Sequence, residues 1–594
     1  MGTTQRARRG VMSGASRGAL FTHCAVLVLL PLLAFGLYAR ALDGPFVIDD
    51  WNSIVYNPKV RTPPSLREFL QSNRPLTELS LAVDHHFGGL QPRQYHATNI
   101  LLHGLNGILV YALLYWTVRR GTIPSTGLSP FRSPSAIASA GALLFVVHPL
   151  QTESVAYISS RSELLAACFY LLTVLLYVLA VTTSSRLTRF ACVATLPLST
   201  AAALASKEMA ATIPVALLLY ERCFLAAGAW RRTRDRWLLA ALTLLPFGLG
   251  VPFFWRTLLV SEGAGLTFAS FTPWQYLLSQ FGVVLHYLQL ALVPVGLNFD
   301  YDWPLARSPW ALGVVLPFAI LTTLAVFAVL RMRRDPIFAF AILWVLLVLA
   351  PTSSIIPIAD LVAERRMYLP LVGLAFVGSA WAWDLGGWVR ARRRLDAAGR
   401  GRTYALLVAL LAGAFAALTV SRAATWGDAQ ALYEDGVAKA PHNPRARLNL
   451  GVIYLNLDRL DPALSEMREA QRLSLLRVST HAHRDTVAFL DYNLGVVLSR
   501  LGESAEASVH LERVLRRGGR YPELRPGAEE QLRAIRREWR AWPEAKQTQW
   551  MVEVARAHLK LGEIEQARHV LVRTLRRDPE QQEAAALLAR LSKR

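Results

Sequence analysis

The sequence predicts an all-α protein: a polytopic bundle of membrane helices, followed by a soluble α-solenoid of helical repeats. Three observations carry this expectation. Long uncharged apolar runs fill residues 1–425, whereas 426–594 is charged and polar. The arginines gather in short clusters beside the apolar runs, which is the bias left by membrane insertion. In the tail, small residues return at matching places in a repeating helix-pair pattern. The composition agrees. A soluble chain of 594 residues would carry more than 18% charged residues beside 53% hydrophobic ones.

A formal net charge of +22 suggests nucleic acid at first sight. The placement of the arginines beside apolar runs argues against it, and no nucleic-acid partner is expected. Cys24, Cys168, Cys192 and Cys223 all lie within apolar runs and offer no disulfide framework or thiol–metal spacing.

A helix needs roughly 20 apolar residues to cross hydrocarbon, because lipid satisfies no free backbone group. In chain order the candidate spans are Leu20–Tyr38, Asn99–Val118, Ala136–Leu150, Leu164–Thr183, Phe190–Ala205, Ala210–Phe224 and Trp237–Trp255. Tyr276–Val295, Trp310–Leu330, Ile337–Ala350, Tyr368–Trp388 and Tyr404–Val420 follow. Ala39-Arg40-Ala41 resembles a signal-peptidase site, but the long apolar core and the many later spans favour an uncleaved first helix. Arginine clusters then set the topology: Arg6/Arg8/Arg9, Arg119/Arg120, Arg186/Arg189, Arg231–Arg236, Arg331–Arg334 and Arg390–Arg394 belong in the cytoplasm. That bias places the loops 39–98, 151–163, 206–209, 296–309 and 353–367, and the repeat tail, on the other side. It requires an odd number of crossings, about eleven, so one segment between Trp237 and Val295 is re-entrant or interfacial.

The polar sequences collect in those extracytoplasmic loops. Loop one carries Asp49-Asp50, Arg74-Pro75-Leu76-Thr77 and Tyr95-His96-Ala97-Thr98-Asn99; loop two carries His148-Pro149, Glu153 and Arg161-Ser162-Glu163. Ser206-Lys207-Glu208, Asn298-Phe299-Asp300-Tyr301-Asp302-Trp303 and Asp360–Pro370, with Glu364-Arg365-Arg366 inside it, complete the set. Ionisable groups at membrane level are costly and mark a site. The five clusters are expected to converge on one cavity.

These blocks, in this order and followed by repeats, resemble the transmembrane and tetratricopeptide-repeat O-mannosyltransferase family, a branch of the GT-C glycosyltransferases. The resemblance runs from about Phe46 into the tail. It implies a GT-C-like bundle whose extracytoplasmic site takes a mannose-like sugar from a polyprenyl-phosphate donor. The acceptor implied is a hydroxyl, of protein Ser/Thr in eukaryotic members, on a protein or glycan that the repeats help select. An arginine-rich, lysine-poor composition points to a GC-rich bacterial genome. The expected location is the bacterial inner membrane with periplasmic repeats, or the endoplasmic reticulum membrane with luminal repeats if the source is eukaryotic.

Such chemistry asks for a carboxylate to take the acceptor proton and cations to meet the departing lipid phosphate. The family position makes Asp49 or Asp50 the base; the plainer alternative is a solvated acidic turn. For the phosphate the resemblance points to Lys207, Arg365 and Arg366, with Arg161 and Arg74 behind them and Glu208, Glu364, Glu163 and His148 in support. The structural alternative pairs Lys207 with Glu208, Arg161 with Glu163 and Arg365 with Glu364. His148 alone reads more readily as a buried hydrogen-bonder. The acidic pair could hold a divalent metal, although no complete ligand set is visible beside it, and His85, His86, His96 and His103 lack zinc spacing.

In the tail, Asn449-Leu450-Gly451-Val452 is echoed by Asn493-Leu494-Gly495-Val496, and Leu501-Gly502-Glu503 by Leu561-Gly562-Glu563. Ala463, Ala507 and Ala567 fall at matching places. This is the pattern of about three tetratricopeptide units of roughly 34 residues each, with insertions at 473–484 and 518–546 and a further helix near 527–542. Two rival functions remain. A membrane-anchored repeat scaffold would need only one span, and a transporter would place its ionisable groups near the bilayer midplane.

Overall fold

The structure, a computed structural model, describes residues 21–61, 65, 68, 72–119, 133–225, 236–248, 271–394, 397–475, 481–517 and 522–592. The chain divides into two compact units, Met1–Leu432 and Tyr433–Arg594.

In the first unit, six described helices are long and apolar enough to cross a membrane: Phe21–Ala41, Pro92–Arg119, Ile158–Thr182, Arg186–Leu204, Leu312–Arg331 and Gly399–Trp426. A seventh arises if Pro134–Val147 and Pro149–Ala156, bent by 54° at His148, form one broken span. The other expected spans are helical but shorter or more polar: Ile213–Tyr220, Arg236–Gly248, Pro273–Leu292, Pro336–Leu349 and Leu371–Arg393. The stretch read as Ala210–Phe224 is broken up. A 3-10 turn, Glu208–Thr212, leads into an eight-residue α-helix that closes on a π-turn, Glu221–Leu225. Most of the expected span 237–255 beyond Gly248 lies outside the described residues.

Local sequence explains where several helices begin. Proline occupies the first turn after a capping side chain at Ser133, Thr272 and Asp335. Thr272 and Gln275 form a reciprocal capping box. Lipid gives no hydrophobic drive for helix association, so close packing of small residues has to supply it. At Gly373 an added Cβ would meet Ala341 Cα at 3.0 Å, so these two helices touch backbone to backbone. Leu312–Arg331 instead turns Leu316, Phe318, Val326 and Leu330 outward, as a lipid-facing helix must.

Arginines lie over aromatic rings at the helix ends away from the polar loops, as Arg161 over Tyr95 and Arg365 over Tyr157 do at the loop end. Arg119 lies over Trp116 (5.4 Å), Arg331 over Phe327 (5.6 Å), Arg392 over Trp388 (5.4 Å) and Arg400 over Trp383 (5.7 Å). The polar loops occupy the opposite ends of the same helices.

The second unit is a right-sized helical-repeat stack. Its helix pairs are Pro444–Asn456 with Leu460–Leu475, His481–Arg500 with Ser504–Arg516, and Glu544–Lys560 with Ile564–Arg577. The extra helix expected near 527–542 is Arg525–Ala541. Of the expected insertions, 476–480 and 518–521 lie outside the described residues. Ala463, Ala507 and Ala567 are each fully buried between paired helices. The turn between pair members needs a left-handed residue, supplied by Gly502 (φ 82°) and Gly562 (φ 73°). Asp458 (φ 60°) fills the same place in the first repeat, where an Asp tolerates that conformation better than most side chains.

Candidate active site

The five polar loops converge, and named hydrogen bonds join them. Loop one meets loop two through Asp50. Its Oδ1 accepts the Ser159 N–H (2.8 Å) and the Ser159 hydroxyl (2.5 Å), while Oδ2 accepts the Val47 N–H (3.1 Å). Loop one meets the 206–209 hairpin through Leu76 N–H to Ala205 O (3.1 Å) and the Thr77 hydroxyl to Ser206 O (3.3 Å). Loop two meets the 353–367 segment at Glu153, which accepts from Arg365 Nη1 (2.5 Å) and from the Arg365 N–H (3.0 Å). The Asn298 segment joins at Glu364, whose Oε1 accepts the Asn298 N–H and the Tyr301 hydroxyl, both at 2.6 Å.

The acidic pair divides into two roles. Asp50 is fully buried with both oxygens engaged, and burial pushes its carboxyl up to about 7 against the pull of Ser159 and Val47. Asp49 is exposed, and its carboxylate makes no hydrogen bond or ion pair with the described residues. The main chain that presents it is held in an unusual shape. Ile48 sits at φ 52°, a costly conformation for a β-branched residue, and a π-turn, Trp51–Val55, follows at once.

The cations have partners far along the chain, and none of the local pairings considered from sequence is the one formed. Lys207 pairs with Glu163 rather than Glu208, deep in the protein, where burial pulls its amine below the usual range. Lys207 is extended (φ −160°, ψ 149°), so Glu208 begins the next turn facing another way and pairs with Arg74 at 3.2 Å. Burial works to raise the Glu208 carboxyl, but Arg74 and Lys207 together hold it at about 2.

Arg161 pairs with Asp84 rather than Glu163. Its remaining donors reach Asn99 Oδ1 (2.8 Å), Tyr95 O (2.8 Å) and the Ser80 hydroxyl (3.1 Å), and it is completely buried. That geometry makes Arg161 a strut of the frame, with no face left for a phosphate. Arg366 is similarly spent on Asp360 O (2.6 Å) and Leu361 O (3.1 Å). Arg365 pairs with Glu153 and Asp360 (3.1 Å) rather than Glu364, and its side chain stays 22% exposed. Arg74 is 42% exposed. Among the five expected phosphate ligands, Arg74 and Arg365 are therefore the ones a ligand reaches.

His148 follows the plainer expectation. Nδ1 accepts the Leu150 N–H (3.2 Å), which leaves Nε2 to donate to Ala291 O (3.0 Å), so the ring is a neutral latch at the helix bend. Glu364 is buried, and its carboxyl rises to about 7 through that burial, with Arg422 acting against it. No group of three or more His, Cys, Asp or Glu suited to a metal lies among the described residues. Of the acidic pair, Asp50 spends Oδ1 on two donors and Oδ2 on one, while the Asp49 carboxylate has no partner among the described residues.

Tyr157, Asp84 and Ser80 join the site without having been expected as functional residues, and Ser159, in the polar block of loop two, joins it through Asp50. Tyr157 is the central one. Its hydroxyl accepts the Asp49 N–H (3.0 Å), and Arg365 lies over its ring (5.9 Å). In the repeat unit, a groove of about 630 Å³ is lined by Arg447, Arg468 and Arg472, which pair with Glu466, Glu506 and Glu469.

Comparison with known proteins bears on both units. A tetratricopeptide-repeat family model matches residues 423–472. A protein O-mannosyl-transferase of Caenorhabditis elegans is 26% identical over 483 residues, covering 74% of this chain and 63% of the relative. The human protein O-mannosyl-transferase TMTC1 is 26% identical over 535 residues, covering 77% of this chain and 56% of the relative. The resemblance to the transmembrane and tetratricopeptide-repeat O-mannosyltransferase family is borne out. A shorter match, to human protein O-mannosyl-transferase TMTC4, is 37% identical over 163 residues, 24% of this chain and 22% of the relative. The chain thus spans somewhat over half the length of the Caenorhabditis elegans relative and of human TMTC1. Among solved structures, ArnT from Cupriavidus metallidurans bound to undecaprenyl phosphate aligns over 83% of this chain and 80% of its own. The identity is 14% and the TM-score 0.36, too loose a superposition to carry an argument.

Proposed function

We propose that this protein is an integral-membrane glycosyltransferase that moves a mannose-like sugar from a polyprenyl-phosphate donor to a hydroxyl, on protein Ser or Thr. The observation that carries the proposal is the pairing of an exposed, unengaged Asp49 carboxylate with the half-open Arg365, both set on Tyr157. The homologous O-mannosyl-transferases supply the sugar class.

Asp49 takes the acceptor hydroxyl proton as that oxygen attacks the anomeric carbon. The bond from that carbon to the phosphate oxygen breaks, and polyprenyl phosphate leaves with the electron pair. Arg365 and Arg74 meet its charge, Arg365 with a planar fork that suits phosphate oxygens. Asp50, Arg161, Lys207 and Arg366 hold the loops that present these groups. The repeats select the acceptor.

The arginine clusters at the helix ends away from the polar loops support an active site on the extracytoplasmic face. Reporter fusions at Arg400 and Gly427 test the sidedness, with the first expected inside and the second outside. The activity test is transfer of labelled mannose from polyprenyl-phosphate mannose to a Ser/Thr peptide by the purified chain. A membrane-anchored scaffold would neither bind that donor nor turn it over.

A further inference from the structure

We propose that Tyr157 is the positioning residue that sets the acidic loop against Arg365, an inference that rests on the catalytic reading of Asp49. Three contacts meet on this one buried side chain. Its hydroxyl accepts the Asp49 main-chain N–H at 3.0 Å, although the two residues are 108 apart in sequence. Arg365 lies over its ring at 5.9 Å. The ring also stacks on Trp426, 5.8 Å away with planes 29° apart, and Trp426 is in turn packed edge-on by Phe299.

The acidic loop needs such a hold. Ile48 is in the left-handed region, where a β-branched residue stays only if its surroundings impose it. Asp50 supplies part of the restraint through Ser159 and Val47, but those bonds fix residue 50 and not the direction of its exposed neighbour. The Asp49 carbonyl is held by the Ser53 N–H at 2.8 Å, and the bond from Tyr157 holds the Asp49 amide on the other side of the residue. Because the same ring faces the Arg365 guanidinium, it fixes the base and the phosphate-facing cation in one frame. Trp426, 2% exposed, is the wall behind it. Removing the hydroxyl would free the Asp49 amide, relieve Ile48 and let the carboxylate drift, and misplacement on the order of 1 Å is enough to slow an aligned reaction about 100-fold.

The experiment compares the full-length wild type with Tyr157→Phe, Tyr157→Leu and Asp49→Asn in detergent. It reads hydrogen exchange of the 46–56 peptide, binding of polyprenyl-phosphate mannose, and kcat for transfer. Tyr157→Phe is expected to speed exchange in 46–56 but not in the repeats, and to lower kcat about tenfold or more with donor affinity retained. Tyr157→Leu, which also removes the face beneath Arg365, is expected to weaken donor binding as well. A merely structural loss would lower the melting temperature and raise exchange throughout the unit. Unchanged exchange in Tyr157→Phe overturns the proposal, as does faster exchange with kcat unaltered. If Tyr157→Phe speeds exchange in 46–56 as expected but neither the wild type nor Asp49→Asn transfers sugar, the hold of Tyr157 on the loop stands and the catalytic reading is the one that fails.

Discussion

Glu153 grips Arg365 at two points: its Oε1 accepts from the guanidinium at 2.5 Å and its Oε2 from the same residue's main-chain N–H at 3.0 Å. A single buried carboxylate thus fixes both the backbone and the charge of a residue 212 positions later, and it closes loop two onto the 353–367 segment.

Glu153→Gln should loosen that closure. It leaves a largely buried arginine with Asp360 as its remaining ion-pair partner among the described residues, and breaking one side of such a pair costs about 3 kcal/mol. Thermal unfolding of the detergent-solubilised protein should show the loss, with weaker donor binding beside it. A melting curve and donor affinity equal to wild type would mean that the grip is dispensable.

Asp50 and Glu364 make the membrane unit sensitive to pH. Both carboxyls are raised to about 7 by burial, so the folded state holds their protons more tightly than the unfolded chain does. Their contribution to stability is full below the ordinary carboxylate range near pH 4 and is lost as pH rises through about 7. The melting temperature should therefore fall between pH 5 and pH 8. Asp50→Asn combined with Glu364→Gln should flatten that fall. An equal slope in the double variant would exclude these two groups as its source.

In the repeats, the buried Asp491 accepts from His510 (2.9 Å), Arg513 (3.2 Å) and Arg517 (3.0 Å). Asp491→Ala removes the anion shared by these three side chains and leaves Arg513 with Glu563 at 3.7 Å. A destabilisation of about 3 kcal/mol is expected in chemical denaturation followed by a probe in the repeats. A loss below about 1 kcal/mol would place this network among the weakly contributing surface pairs.

Two equivalent glycines give a sharper packing test. An added Cβ at Gly495 would meet Leu511 Cγ at 2.6 Å and Cδ2 at 2.7 Å, and at Gly451 it would meet Met467, with Cγ at 2.7 Å and Cε at 3.2 Å. Alanine gains about 1 kcal/mol of helix propensity over glycine, against an overpacking cost of about 1–3 kcal/mol. At both glycines the clashing atom is a γ carbon close to the facing helix, and at Gly451 the Ala463 carbonyl oxygen also stands at 3.2 Å, so Gly451→Ala and Gly495→Ala should both be destabilising. Wild-type stability of either variant in denaturant melts would refute the packing argument at that glycine.

The convergence of the loops was legible in the sequence because one-ended polar blocks between apolar runs leave few other arrangements. The repeats were legible because Gly451, Gly495 and the buried alanines recur in register. The ion-pair partners were not. Lys207, Arg161 and Arg365 each have an acid within two residues, yet each reaches across the fold to Glu163, Asp84 or Glu153. Sequence proximity says nothing about direction where 3-10 turns and extended residues alternate. Asp84 was hidden in a short helix, Pro75–Gly88, whose buried face becomes visible only once Arg161 is seen against it. Nor could the sequence separate Asp49 from Asp50, since only burial tells the anchored carboxylate from the open one.

The most direct test of the account is the transfer rate of Asp49→Asn in the purified full-length chain, with polyprenyl-phosphate mannose as donor and a Ser/Thr peptide as acceptor. The account predicts transfer by the wild type and a loss of about 10² to 10⁴ in rate for the variant, with donor binding and melting temperature retained. A variant as active as wild type, or a wild type that binds no donor, would contradict it.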